Sequence, residues 1–189
     1  MNLQSRLDRT HGIYARQGLA TVRRNERVWV YTSPKAAASL PPMARATTDD
    51  GQRKLVMRRS DVDYRGTLSV RVMRGRTISF DAKETAGKSI PLNDDKIDEH
   101  QVITLCEDEQ AGALSGFMVH FTEDGRVFFA SARKVREMKD RAKFQPKGRS
   151  KYPKSLSLDW MQENAIVICE VKPGDNLIDW LPVLTGEPK

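Results

Sequence analysis

The stretch from Asp61 to Pro91 has the pattern of a β-hairpin, and this feature constrains the fold more than any other. Apolar and polar residues alternate from Tyr64 to Met73, a glycine turn follows over Met73–Arg76, and the segment TISFDAK returns. Residues two apart in a strand share a face. Asp81 and Lys83 are therefore predicted to lie on one face of the returning strand.

Asp63 lies at the far end of the partner strand, so closing the hairpin brings its carboxylate towards Asp81. A turn centred on Arg74 and Gly75 pairs Asp63 a few residues beyond Asp81. A bulge, for example at Gly66, is then needed to correct the register. The sequence thus predicts that the two carboxylates meet, and it predicts an irregular strand between them.

Two carboxylates and one ammonium group at a strand end form the set of groups that metal-dependent nucleases use. The carboxylates can hold Mg²⁺ through oxygen and leave positions for water and a phosphate. Lys83 can orient or deprotonate that water, or neutralise charge that develops on the phosphate. The spacing alone is weak support, because acid-x-Lys recurs at Asp94, Glu137 and Glu170. Three solvated charges at the strand ends are the alternative interpretation.

The charge of the chain indicates a polyanionic partner. The 189 residues suffice for one domain with a hydrophobic core, and the net charge is +7. Residues 133–154 carry ten lysines and arginines against two acids, a net charge of +8, so the rest of the chain is close to neutral. With Phe144 and Tyr152 interleaved, this segment is predicted to bind DNA, and a solvated basic face is the alternative. The predicted DNA-binding residues are Lys54, Arg58, Arg59, Arg133, Lys134, Arg136, Lys139, Arg141, Lys143, Lys147, Arg149, Lys151 and Lys154.

Several function classes are disfavoured by the composition. Cys106 and Cys169 have neither a CxxC nor a Cys/His spacing, so a zinc site is not expected, and His100 has no second ligand at a suitable spacing. The apolar runs are too short to span a bilayer, and the N-terminus has no apolar signal core. The expected location is the cytoplasm, either of a bacterial cell or, for a phage-encoded protein, of its host.

The first third of the chain predicts a helix, two strands and an insertion. Leu3–Gln17 has a helical apolar stripe that Gly18 ends. Ala20–Val22 and Val28–Tyr31 are predicted as two strands joined through the segment RRNER. Ser33–Arg59 contains three prolines and scattered apolar residues, which favours a protruding insertion, with a solvated loop as the alternative.

The remaining chain alternates helices and strands. A helix is predicted from Asn93 or Asp94 to about Gln110, and its Gln101 can hydrogen-bond the attacking water or a phosphate. A second hairpin is predicted over Leu114–Phe121 and Val127–Ala130. The other predicted elements are a basic helix over Ala132–Arg141, a short helix over Ser157–Gln162, a strand over Ala165–Val171, and a tail over Asn176–Leu184 that docks on the body or on a second subunit.

The segments DVDYRG, ISFDAKET, K-x-I-P-L, EHQ and GFMVHF…VFFA together resemble the RecU-type Holliday-junction resolvases of the PD-(D/E)xK nuclease superfamily. Their order and spacing are also similar, from roughly Leu3 to Val171. The resemblance implies a restriction-endonuclease-like α/β fold, with a mixed central sheet flanked by helices and a protruding stalk at Ser33–Arg59. It further implies a homodimer that uses Mg²⁺ or Mn²⁺ to nick opposed strands of a four-way DNA junction.

The resemblance also assigns roles to individual residues. By position, Asp63 and Asp81 are the metal-binding carboxylates and Lys83 is the catalytic lysine. Asp81 replaces the glutamate that is usual in the family. Gln4 stands where the family has an acid near the N-terminus, and it is a candidate supporting residue. Glu84 follows the family motif, but strand alternation turns it away from Asp81.

One nuclease domain is predicted over residues 1–189, with residues 33–59 as the insertion and 172–189 as a C-terminal tail.

Two other functions are consistent with the sequence. One is a different nuclease of the same fold, such as a restriction-like enzyme or a nickase that acts on linear duplex. The other is a non-catalytic, architectural DNA-binding protein in which the altered acids no longer bind metal.

Overall fold

We obtained the structure as a computed structural model of the chain. It describes residues 1–25, 62–143 and 153–186 in full, and the strands at 28–32, 45–49 and 54–58 by their backbone. The chain forms two compact units. One comprises Met1–Arg24 with Val62–Lys189, and the other comprises Asn25–Asp61.

The larger unit contains a six-stranded sheet in the order β1-β5-β6-β8-β9-β11, and a pair of short strands, β7 and β10. The smaller unit contains a three-stranded sheet in the order β2-β4-β3. The strands are β1 Ala20–Arg24, β2 Val28–Thr32, β3 Arg45–Asp49, β4 Lys54–Arg58, β5 Tyr64–Leu68, β6 Thr77–Thr85, β7 Ser89–Pro91, β8 Leu114–Phe121, β9 Arg126–Ser131, β10 Ser155–Ser157 and β11 Ile166–Glu170. The helices are α1 Leu3–Gln17, α2 Glu99–Gln110, α3 Ala132–Lys143, α4 Leu158–Asn164 and α5 Leu181–Thr185, with a 3₁₀ turn at Arg71–Met73.

The central sheet is mixed, as predicted. Strands β6 and β8 are parallel, because α2 lies between them in the chain and returns it to the same end of the sheet. The other neighbouring pairs of this sheet are antiparallel. Helices cover both faces, so the predicted α/β class with a flanked mixed sheet is confirmed.

Two hydrophobic layers lie on opposite faces of this sheet. Met118 and Phe129 belong to the layer that contains α1, whereas Phe117 and Phe128 belong to the layer that contains α2 and α3. Neighbouring residues of one strand thus enter different layers, which is the expected period of two. Phe80 of β6 packs in the α1 layer. Its neighbours on either side in β6 therefore face α2.

The register of the β5–β6 hairpin is regular, and the predicted bulge at Gly66 is wrong. Tyr64 pairs with Phe80, and continuing this register by one residue places Asp63 opposite Asp81. The outgoing strand ends at Leu68 instead of Met73, and the connection contains the 3₁₀ turn. Because this connection is longer than a tight turn, Asp63 lies opposite Asp81 without a bulge.

Gly66 has a different structural role. A Cβ atom added there would lie 2.2 Å from the backbone oxygen of Thr21 in the neighbouring strand β1. A side chain at this position would collide with backbone, which cannot move aside without breaking the β1–β5 pairing. Gly66 therefore allows close strand approach within an unbroken ladder.

The four predicted helices and the second hairpin are present, with some changed boundaries. α1 ends as expected at Gly18, which has a φ of 69°. α2 begins at Glu99, because the side chain of Asp98 accepts a hydrogen bond from the backbone N–H of His100 and caps the helix there. The predicted start at Asn93 or Asp94 is therefore wrong. The β8–β9 hairpin and the basic helix α3 confirm the predictions for those segments.

The first two predicted strands belong to different sheets. β1 pairs with β5 in the central sheet, whereas β2 pairs with β4 in the small sheet. The second compact unit consequently begins at Asn25, before the predicted insertion. Residues 33–44 of that insertion lie outside the described residues, and its identity as a protruding stalk stays a prediction.

The C-terminal tail docks on α1. Trp180 is fully buried, and Leu181 and Leu184 are buried with it. The Tyr14 hydroxyl donates to Asp179 at 2.6 Å and accepts from the backbone N–H of Leu181 at 3.1 Å. Of the two alternatives for the tail, the structure thus shows docking on the body.

His11 is part of this junction between the tail and α1. The Trp180 indole N–H donates to His11 Nε2 at 3.2 Å, which requires that nitrogen to be unprotonated. Burial lowers the pKa of His11 to about 4, so the neutral acceptor form is the stable one at neutral pH.

Among the described residues, no helix is both long and apolar enough to cross a bilayer.

Candidate active site

Asp81 and Lys83 extend from one face of β6, towards α2. Asp81 is fully buried, and the Lys83 side chain is about one-fifth exposed. The alternating residues Phe80 and Ala82 belong to the hydrophobic layer on the opposite face. The apolar residues on the α1 face thus fix the strand, and the strand in turn fixes the two polar side chains.

Asp81 is held by contacts to both of its oxygens. Oδ1 accepts a hydrogen bond from Gln101 Nε2 at 2.8 Å. Lys83 Nζ forms an ion pair with the buried Oδ2 at 2.6 Å. Burial raises the pKa of the Asp81 carboxyl to about 7, Lys83 opposes that rise, and Asp63 adds to it.

Asp63 completes a pair of carboxylates across the hairpin. Its Oδ2 accepts a hydrogen bond from the backbone N–H of Ala82 at 3.1 Å, which draws the carboxylate onto β6. Asp63 is also close enough to raise the pKa of Asp81. The predicted meeting of the two acids is therefore present in the structure.

Gln101 connects the acid and the lysine of β6. Its Nε2 donates to Asp81, and its Oε1 accepts from Lys83 Nζ at 3.2 Å. The amide thus presents its donor to the carboxylate and its acceptor to the ammonium group. α2 positions Gln101 one turn after the Asp98 cap. The sequence suggested contact with water or phosphate for Gln101, and the structure adds contacts to both site residues.

The residues of the site suit a hard divalent cation. Mg²⁺ prefers carboxylate oxygen and keeps several water ligands. Asp63 and Asp81 supply carboxylates, and a cation at Asp81 Oδ2 would share that oxygen with Lys83 Nζ or displace it. Within the described residues, no group of three or more His, Cys, Asp or Glu side chains is placed to hold a metal. A cation held here would therefore depend on two acids, with water and phosphate as its other ligands.

The raised pKa of Asp81 predicts that metal-free protein loses stability as pH rises. In the unfolded chain the carboxyl releases its proton near pH 4, and in the folded protein near pH 7. The stabilising contribution is thus fully present below pH 4 and is lost as pH rises through 7. We expect the Asp81→Asn variant to lack this loss, on the order of 2 to 4 kcal/mol.

Urea unfolding in the presence of a chelator at pH 5 and pH 8 measures this effect. The free energy of unfolding of the parent protein should fall more between the two values than that of the Asp81→Asn variant. Asp95→Asn, which removes an exposed carboxylate, is the matched control. Parallel pH dependence of the parent protein and the Asp81→Asn variant would contradict the raised pKa.

Glu84 faces away from the site, in agreement with strand alternation. Its Oε2 accepts a hydrogen bond from the backbone N–H of Leu3 at 2.8 Å and lies 3.0 Å from His120 Nδ1. A carboxylate at a helix N-terminus is favoured by the exposed N–H groups and by the helix dipole. Glu84 therefore fastens α1 to β6. Strand alternation indicated that Glu84 faces away from Asp81, but the sequence did not reveal which element Glu84 would contact.

Gln4 makes its contact elsewhere. Its side-chain oxygen accepts a hydrogen bond from the guanidinium group of Arg24 at 2.8 Å. The neighbouring Leu3 and Leu7 pack on the sheet face opposite Gln101. The contacts of Gln4 therefore give no support to the supporting role that the sequence suggested.

The other acid-x-Lys matches lie in different surroundings. Asp94 is mostly exposed and binds Lys139 at 2.6 Å. Glu137 is exposed on α3, and Glu170 is exposed on the edge strand β11. Asp81 differs from all three because it is buried beside the lysine two residues later. Burial separates the candidate active site from the recurring sequence pattern.

The predicted DNA-binding surface needs one correction. Lys139 is buried, and its Nζ contacts Asp94, Glu99 and the backbone oxygen of Ile97, so it joins α3 to the start of α2 and cannot bind DNA. Arg133 is mostly exposed although it lies near Glu109. Lys154 is exposed as well. Residues Arg59, Lys147, Arg149 and Lys151 lie outside the described residues, and only the backbone of Lys54 and Arg58 is described.

The chain matches one known protein family over almost its whole length. A sequence profile of the RecU family, described as Recombination protein U, matches residues 1–185. The match includes both acids, the lysine and Gln101. A search of curated proteins gave no match.

Proposed function

The chain belongs to the RecU family of Holliday-junction resolvases, which are nucleases of recombination, and from this premise we propose that it nicks opposed strands of a four-way junction symmetrically and with the help of a divalent metal. The observation that carries the proposal is the buried Asp81 carboxylate, held between Lys83 and Gln101 and opposite Asp63. Buried, charge-paired carboxylates are typical of catalytic sites.

The side chains of the site have separate roles in this proposal. Lys83 presents a positive charge beside the position of the scissile phosphate, where it stabilises developing negative charge and orients the attacking water. Gln101 fixes both Asp81 and Lys83, which limits their motion during the reaction. When bound to Asp63 and Asp81, Mg²⁺ or Mn²⁺ would polarise the phosphate and make water a better nucleophile.

Symmetric cleavage requires two such sites. Each chain supplies one set of Asp63, Asp81 and Lys83, so cutting two opposed strands calls for two copies. A twofold homodimer presents identical sites in opposite directions, which matches the symmetry of paired nicks. We therefore propose a homodimer as the active form, in the cytoplasm of a bacterial cell or of a phage host.

The basic surface and the insertion would bind the DNA arms and the junction centre. Exposed cations on α3 and at Lys154 can pair with backbone phosphates. Lys54, Arg58 and Arg59 belong to the Asn25–Asp61 unit, which we propose as the stalk that enters the junction. Phosphate contacts of this kind position the DNA without reading its sequence.

The test is cleavage of a labelled synthetic four-way junction with and without Mg²⁺, beside a linear duplex of the same sequence. We expect paired symmetric nicks that need the metal and are confined to the junction. Cleavage of both substrates would instead indicate a nuclease of broader selectivity. Tight binding without nicking would indicate an architectural protein, an outcome that the intact set of Asp63, Asp81 and Lys83 argues against.

A further inference from the structure

Two cations of α3 are available for a ligand. Four of the six basic residues of this helix lie within ion-pair distance of a carboxylate, which leaves Lys134 and Arg141 without a carboxylate partner in the part of the chain that the structure describes. The four paired residues are Arg133 with Glu109, Arg136 with Asp140, Lys139 with Asp94 and Glu99, and Lys143 with Glu99. The net positive charge of the helix is thus concentrated at two positions.

Lys134 and Arg141 lie two turns apart and line the same cavity. Residues at i, i+4 and i+7 share a helix face, and Met138 lies between the two cations. The cavity has a volume of about 150 Å³, and Trp160 and Asn164 of α4 form its other wall. We call it the α3–α4 pocket. It therefore combines two cations with an aromatic side chain.

The aromatic wall of the pocket is held firmly. Trp160 is half-buried and packs on the hydrophobic layer that includes α2 and α3. Its backbone N–H donates to the Ser157 hydroxyl at 3.1 Å, and its backbone oxygen accepts from the Asn164 amide at 3.0 Å. Lys134 Nζ donates to the backbone oxygen of Asn164 at 2.7 Å. A ligand that stacks on Trp160 would thus meet a surface that is already ordered.

The pocket is connected to the catalytic hairpin through the backbone. The N–H of Leu158, which opens α4, donates to the oxygen of Lys88 at 2.9 Å. Lys88 lies between β6, which carries Asp81 and Lys83, and β7. The segment that follows the catalytic strand β6 is therefore hydrogen-bonded to the start of α4, which forms one wall of the pocket.

We propose that the α3–α4 pocket binds an unpaired nucleotide of the DNA substrate, with its base against Trp160. Lys134 and Arg141 would contact the adjoining phosphates, and the Glu137 carboxylate, which also lines the pocket, would accept from the amino group of a base such as cytosine. The inference rests on the proposed action on DNA and adds a specific binding site to it.

The presence of Glu137 favours a base over a phosphate as the occupant. The two cations would attract a phosphate, but the Glu137 carboxylate would repel it and would attract the amino group of a base. Contact with the duplex backbone alone would also not involve the Trp160 ring. At a branch point a base loses part of its stacking, which lowers the cost of taking it out of the helix.

The first test uses the full chain in chelator and a short oligodeoxycytidylate, with an abasic strand of equal length beside it. We expect Trp160→Ala to weaken binding of the oligodeoxycytidylate by about tenfold and to leave binding of the abasic strand unchanged, because the substitution removes the ring on which a base stacks. Trp160→Tyr, which keeps an aromatic ring, should bind nearly as well as the parent. Equal affinity of the parent and Trp160→Ala for the oligodeoxycytidylate, or equal losses on both strands, would overturn the proposal.

Intrinsic fluorescence gives a second readout that does not depend on the alanine variant being folded. The oligodeoxycytidylate should quench the parent protein, whereas Trp160→Phe should lose most of the quenching. Quenching that survives in Trp160→Phe would overturn the proposal.

Salt dependence tests the cations separately. Arg141→Gln should reduce the slope of log affinity against log salt by about one, whereas the carboxylate-paired Arg136→Gln should change it less. Equal slopes for the two variants would contradict the assignment of Arg141 to the pocket. Junction cleavage by the parent chain is measured separately, so failure of the resolvase proposal and failure of the pocket are distinguishable.

Discussion

Replacing Asp81 by asparagine is expected to abolish cleavage of a four-way junction, by at least about 10³-fold, while junction binding changes little. The reason is the position of this carboxylate. It is the fully buried acid of the site, and both of its oxygens are directed by neighbours, Gln101 at one and Lys83 at the other. Asparagine keeps the shape but removes the negative charge on which a cation depends.

Single-turnover cleavage and gel-shift binding with the same labelled junction measure the two halves of this prediction. Asp95→Asn removes an exposed carboxylate and is the control for net charge. Thermal unfolding confirms that each variant is folded. Cleavage retained by the Asp81→Asn variant would remove Asp81 from the mechanism, and a parallel loss of binding would indicate a structural defect instead.

Replacing Lys83 by methionine is expected to reduce cleavage by about 10² to 10⁴-fold, again with binding largely retained. Two effects combine. The substitution removes the ammonium group that lies 2.6 Å from the Asp81 carboxylate. It also removes the charge that lowers the pKa of Asp81, so that this pKa rises further and more of the carboxyl stays protonated at neutral pH.

A pH series separates these two effects. Raising the pH should deprotonate Asp81 in the Lys83→Met variant and recover metal binding, but cleavage should stay low because the ammonium group is still missing. Lys96→Met, which removes an exposed lysine, is the control. Full recovery of cleavage at high pH would show that Lys83 acts only through the ionisation of Asp81.

The alternation of the second hairpin strand correctly predicted which of its polar side chains share a face. The common face of Asp81 and Lys83, and the opposite direction of Glu84, follow from the period of two in any extended strand. Such a period is a local property that neighbouring residues fix. The sequence did not predict the contacts of Gln101 to Asp81 and Lys83, because they depend on how α2 packs against β6.

The register of two paired strands depends on the length of the segment that connects them. The predicted β5–β6 register was wrong because a tight turn was expected, whereas the chain uses a longer connection with a 3₁₀ turn at Arg71–Met73. β1 and β2 follow each other in the sequence, yet β1 pairs with β5. Alternation gives the faces of a strand, but it does not identify the partner.

The basic segment shows the same limit for electrostatics. The sequence counted Lys139 as a DNA-binding cation together with Lys134 and Arg141. Folding buries Lys139 against Asp94 and Glu99, whereas the other two stay without a carboxylate partner among the described residues. A lysine that is distant in sequence from its carboxylates cannot be recognised as paired until the fold brings them together.

The sequence by itself determined the mixed α/β class, the family and the common face of Asp81 and Lys83, because strand periodicity and the spacing of short segments are written directly in the order of residues. Only the tertiary structure decided the register between the acids, the raised pKa of Asp81, the contacts of Gln101 and the pocket beside Trp160. These features depend on burial and on distances between segments far apart in the chain, and both are set by packing.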